Sequence, residues 1–121
     1  MLSQLGQIAM HVVDLERSIA FYRDTLQLPF LFQFPGLAFF DCGGVRLMIT
    51  RPEGTGQPNG NSVLYFKVAD IHAEVQSLIS RGVTLEGEPH MIARMPDHDL
   101  WMAFFRDPDG NLLALMSEVR K

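Results

Sequence analysis

Residues 7 to 13, "QIAMHVV", form a mostly apolar run broken only by Gln7 and His11, and the pattern predicts a strand. Asp14 follows where a helix N-cap belongs, and apolar Leu15, Ile19, Tyr22 and Leu26 then recur at helical spacing. The second half repeats this plan. "SVLYFKV" (62 to 68) predicts a strand, Asp70 a cap, and Ile71, Val75, Leu78 and Ile79 a helical stripe that Gly82 closes as a C-cap. Superposing "VVDLERSIAFYRDTL" on "VADIHAEVQSLISRG" needs an offset of 56 residues and aligns Asp14 with Asp70. A matched strand, cap and helix together predict an internal duplication.

Short strands follow each helix. "FLFQF", "LAFFDC" and "VRLMIT" fill residues 30 to 50, with Gly43-Gly44 as a tight turn. "LWMAFFR" and "NLLALMS" flank "DPDG", whose Pro108 and Gly110 suit the second and fourth positions of a turn. The Pro- and Gly-rich "RPEGTGQPNG", residues 51 to 60, reads as a linker. The expected fold is α+β: a module over 6 to 50 and another over 61 to 117, each βαβββ, within one domain spanning 1 to 121. Two curved mixed sheets with helices on their outer faces would enclose packed side chains, solvent or a ligand.

Composition narrows the function classes. With 47% hydrophobic and 20% charged residues, the 121-residue chain can build a core and carries no disorder signature. A formal charge of −4 with scattered basic residues argues against nucleic acid as a partner. No apolar run reaches membrane-spanning length, and the first residues do not read as a signal peptide, so a cytoplasmic protein without a membrane partner is expected. Cys42 is the only cysteine, which excludes an intrachain disulfide and a cysteine cluster for zinc.

"HVVDLERSIAFYRDTLQLPF" followed by "AFFRDPDGNLLALM" resembles the vicinal oxygen chelate superfamily of glyoxalases, bleomycin-resistance proteins and extradiol dioxygenases, over residues 6 to 117. The resemblance implies paired βαβββ modules forming a cupped mixed sheet, commonly in a homodimer. It also implies four metal-ligand positions drawn from His, Glu and Gln. Those positions fall at Gln7, near Met48 (Leu47 or Ile49 with a slip of one), at Val63 and at Ala114. A divalent transition metal needs several converging N or O donors, so neither a metal nor another cofactor is expected here. Without the ion, the superfamily's metal-assisted reactions lack their electrophile. The bleomycin-resistance members, which bind a small molecule without a catalytic metal, are the similar group.

Other polar residues have two readings each. His11 shares a strand face with Gln7 and matches a basic, substrate-holding position of the glyoxalases; the alternative is a buried imidazole satisfied by a backbone carbonyl. Val63, Tyr65 and Lys67 share another face, Lys67 as an anion contact or a solvated side chain. Strand parity lets either Trp101 or the pair Met102 and Phe104 line an apolar cup with Met48. His90, His98, Asp97 and Asp99 read as a solvent-facing loop or as a displaced metal site. Cys42, Asp107, Asp109 and Asn111 belong to turns. The expected ligand-binding set is therefore Gln7, His11, Met48, Val63, Tyr65, Trp101 and Ala114, taking a small, partly apolar molecule, with no catalytic residue assigned. A lyase, isomerase or dioxygenase with a displaced metal, and a ligand-free structural or regulatory dimer, are the alternatives.

Overall fold

Asp14 and Asp70 open their helices in the same way. Each holds an extended backbone, and its carboxylate accepts a hydrogen bond at 3.1 Å from the N–H three residues on, Arg17 and Ala73 respectively. This satisfies a donor that the first helical turn would otherwise leave unpaired. The computed structural model describes residues 2–51 and 61–120, so the predicted linker lies almost wholly outside the described residues.

The chain divides into two units, Met1–Ser62 and Val63–Lys121. The first holds β1 (Gln7–His11), α1 (Leu15–Ala20) continuing through a π-helical turn (Phe21–Thr25), β2 (Phe30–Phe34), β3 (Leu37–Cys42) and β4 (Val45–Thr50). Its sheet runs β1-β4-β3-β2, with β1 parallel to β4 and the other pairs antiparallel. The second holds β5 (Leu64–Lys67), α2 (Ile71–Ser80), β6 (His90–Arg94), β7 (His98–Arg106) and β8 (Leu112–Arg120), paired in the same manner as β5-β8-β7-β6. Each unit is thus the βαβββ module that the hydrophobic pattern predicts. The first strands are shorter than expected, yet Val12 and Val68 still donate to Thr50 and Met116, at 2.9 and 2.8 Å.

Period-two alternation places one side of each sheet in a core with its helix. In the first unit Met10, Leu47, Ile49, Ala38 and Phe40 are buried with Ile19 and Tyr22 of the helix. The Tyr22 ring lies 6.2 Å from Phe40, and its hydroxyl donates to the Met10 sulfur at 3.7 Å. In the second unit Ile71, Val75 and Leu78 are buried along with Ala103, Phe105, Leu113 and Leu115 of the sheet. Ile79, expected in that stripe, is 48% exposed because it lies one residue, about 100°, round from Leu78.

The two helices end differently. Gly82 (φ 91°) donates to the Ile79 carbonyl and Val83 to that of Leu78, the paired bonds of a Schellman cap. The first helix has no glycine there. Gln27 takes the left-handed conformation (φ 61°), and the preceding π-helical turn adds a residue, so the 56-residue offset between the caps falls to 55 at this point. In the 107–110 turn, Gly110 donates to the Asp107 carbonyl at 2.9 Å, while the buried Asp107 carboxylate accepts from Asp109 and twice from Asn111.

Candidate functional sheet faces

The sheet face turned away from the core carries the predicted residues of the first unit. Pairing sets Gln7 beside Arg46, Ala9 beside Met48 and His11 beside Thr50, then Met48 beside Phe39 on the next strand. Gln7 Nε2–H points at the Met48 sulfur, 3.9 Å away, so these two predicted ligand positions are neighbours. His11 is exposed, which rules out the buried-imidazole reading. Its main chain is held instead. Asn61 accepts from His11 N–H at 3.0 Å and donates to His11 C=O at 2.8 Å, closing the free edge of β1.

Sequence reasoning missed four contributors to this face: Phe32, Phe34, Phe39 and Arg46. A bulge at β2 brings Phe32 opposite Phe39, with ring centroids 4.8 Å apart, and Phe34 lies 5.4 Å from Phe32. Arg46 places its guanidinium carbon 5.5 Å from the Phe39 ring centroid. Parity from Met48 already points to Arg46, two residues earlier on the same strand; nothing in one sequence marks the bulge.

In the second unit the corresponding face brings Tyr65, Ala114 and Phe104 together, with Tyr65 and Phe104 edge to face at 6.2 Å and Ala114 itself fully buried. Val63 is half-buried one residue before β5. Trp101 does not join them. β7 alternates without a break, so Met102 and Phe104 take this face, while Trp101 pairs with Ser117 on the other side and meets the His72 ring of α2 at 5.4 Å. The parity alternatives therefore resolve in favour of Met102 and Phe104.

His90 lies in β6, and His98 and Asp99 in β7, rather than in the expected solvent-facing loop, because residues 90 to 94 pair with 99 to 102 as an antiparallel ladder; of the four only Asp97 stays between strands. Lys67 pairs with Glu118 at 3.0 Å, and the Lys67 ammonium holds that carboxyl below its ordinary range. His98 Nδ1 lies 2.7 Å from Asp97, whose carboxyl is lowered chiefly by that hydrogen bond, and His90 Nδ1 sits 3.2 Å from the Glu88 carbonyl. Among the described residues, no three His, Cys, Asp or Glu side chains are grouped to hold a metal. Gln7, Met48, Val63 and Ala114 offer one amide, one thioether and two hydrocarbon side chains, a set that does not fit a divalent transition metal. Burial, then Asp41, pushes the Cys42 thiol up, away from the thiolate a nucleophile needs.

Two grooves include none of the expected ligand-binding residues, although Phe34 borders the first. One of about 620 Å³ sits between the start of α1 and the β2–β3 turn, lined by Asp14, Glu16, Gln33 and Arg51 among others. The other, about 330 Å³, runs between α2 and residues 85 to 89 and includes His72, Ile79 and Glu88. No helix among the described residues is long and apolar enough to cross a membrane.

Comparison with known proteins agrees with this architecture. Residues 4–115 match the Glyoxalase/Bleomycin resistance protein/Dioxygenase superfamily. The uncharacterized protein YraH of Bacillus subtilis (strain 168) is 31% identical over 129 residues, covering 93% of this chain and 96% of YraH. Among solved structures, TnmS3, an antibiotic binding protein from Streptomyces sp. CB03234, is similar at a TM-score of 0.76 and 25% identity, covering 97% of each chain. Lactoylglutathione lyase from Agrobacterium tumefaciens is similar at 0.69 and 25% identity, covering 95% of this chain and 93% of the lyase. The duplicated βαβββ plan and these matches together make the chain a member of the glyoxalase/bleomycin resistance protein/dioxygenase superfamily.

Proposed function

We propose that the protein binds a small, partly apolar molecule on its open sheet faces without a metal, as a cytoplasmic homodimer. One observation carries this reading: the chain has Met48 and Ala114, a thioether and a methyl group, where the resemblance places oxygen or nitrogen donors of the superfamily's metal enzymes. Their surroundings have the character of a ligand site, mostly apolar with a few orienting polar groups. Met48 neighbours Phe39 and Gln7, and Ala114 neighbours Tyr65 and Phe104. TnmS3, similar over its whole length, is an antibiotic binding protein, which supports a binding role here. The lactoylglutathione lyase is equally similar in sequence, so overall likeness does not separate a binder from an enzyme. The side chains at the ligand positions favour the binder.

A thermal-shift screen of aromatic and aliphatic small molecules in EDTA, followed by calorimetry on the hits, tests this. The expected outcome is at least one ligand whose affinity is the same in EDTA and in added zinc, nickel or manganese. Binding or turnover that appears only with a divalent metal would overturn the proposal.

A further inference from the structure

The open face of the first unit is not uniformly apolar. Arg46 is exposed on it with its guanidinium against the Phe39 ring, and no carboxylate among the described residues forms an ion pair with it. Asp41, its partner across β3, shares the face but is half-buried, and its Oδ1 accepts the Gly44 N–H of the hairpin turn at 3.1 Å. On the other side Gln7 directs its amide at a thioether, one of the weakest acceptors a protein offers. Folding thus leaves a guanidinium fork and an amide donor side by side, both lacking a strong acceptor. Next to them lies a row of rings, with Phe39 touching Phe32 and Phe32 touching Phe34.

This juxtaposition selects a ligand by its chemistry. A guanidinium pairs bidentately with a carboxylate, and it does so most strongly where neighbouring apolar groups exclude water. Aromatic side chains in a row favour a flat ring, which stacks offset or edge-on against them. We infer that Arg46 and Gln7 bind the carboxylate of a planar aromatic acid whose ring lies against the exposed Phe32 and Phe34, with the buried Phe39 backing Phe32. The inference rests on the reading of this face as a small-molecule site and names the ligand class that the face takes.

The acid 2-naphthoate and its neutral counterpart 2-naphthamide probe the two ideas separately. Calorimetry on the wild-type chain should show the acid binding about tenfold or more tightly than the amide, a preference that weakens with added salt. In Arg46→Gln the acid should lose its advantage over the amide, and Arg46→Lys should restore part of it. Arg46 is exposed, so circular dichroism should show both variants folded. Equal binding of acid and amide to the wild type, or a preference that survives in Arg46→Gln, would overturn the Arg46 assignment yet leave the small-molecule reading standing. No binding of either probe at millimolar concentration would overturn both. Acid binding that occurs only as sedimentation shows dimers dissociating would assign the face to a second copy of the chain, against the inference.

Discussion

Asn61 and His11 show how a residue's role depends on its partners rather than its type. Because Asn61 bonds the main chain of His11 and leaves the ring exposed, the two side chains make separable predictions. Asn61→Ala should cost about 1 kcal/mol of stability through lost hydrogen bonds, read as a lower urea midpoint. His11→Leu should leave stability within about 0.5 kcal/mol, as for an exposed position. If the imidazole orients the ligand, the same variant should weaken binding by about 1 to 3 kcal/mol, tenfold or more. Unchanged affinity in calorimetry would remove His11 from the site. At this scale the sequence was partly legible. Counting from Asp14 and along β4 chose Gln7 and Met48, which the structure makes neighbours, and alternation put Tyr65 on one face with Val63 and Lys67. It did not tell which sheet face was open, because a strand's parity defines two faces without saying which one the helix covers. His11 and Trp101 were ambiguous for that reason.

Caps and helix ends carry the predictions at the scale of elements. Asp14→Ala and Asp70→Ala should each lower stability by about 1 kcal/mol, and additively, since the two caps share no partner. Gln27 holds a left-handed backbone (φ 61°) that costs an ordinary residue about 1 kcal/mol, so Gln27→Gly should raise the urea midpoint where most substitutions lower it. Both helices, both caps and every strand except β6, which was read as a loop, could be read from hydrophobic period and side-chain type. The π-helical turn and the β2 bulge at Leu31 could not. Each inserts one residue without changing the apolar pattern around it, and so the Phe32–Phe39 contact stayed hidden.

At the scale of the molecule, the charged groups with shifted titration among the described residues are all exposed, which sets their weight. Glu118 beside Lys67, Asp97 beside His98 and Asp24 beside Arg23 each have a lowered carboxyl pKa. A depressed folded-state pKa contributes stability above the ordinary carboxylate range, and that contribution is lost as pH falls through the folded value. The acid limb of the stability profile should therefore begin below about pH 4 and shrink in high salt, because exposed pairs are screened. A carboxyl-carbon NMR titration should find the Glu118 pKa moving back up in Lys67→Met. The duplication was the most legible feature at this scale, since two matched caps and two helical stripes repeat at one offset. Function was less so, because Met48 and Ala114 at the expected ligand positions say what chemistry is missing and not which molecule binds.

Methionine methyl NMR tests metal-free binding at the open faces most directly. Met48 and Met102 lie on the two faces, while Met10 is buried in the core and serves as the internal control. In EDTA, titration with neutral 2-naphthamide should shift the Met48 or Met102 methyl signal and leave Met10 unmoved, and added manganese should broaden neither face signal. Shifts that require a divalent metal, or that leave both Met48 and Met102 unmoved while the probe binds elsewhere, would contradict it.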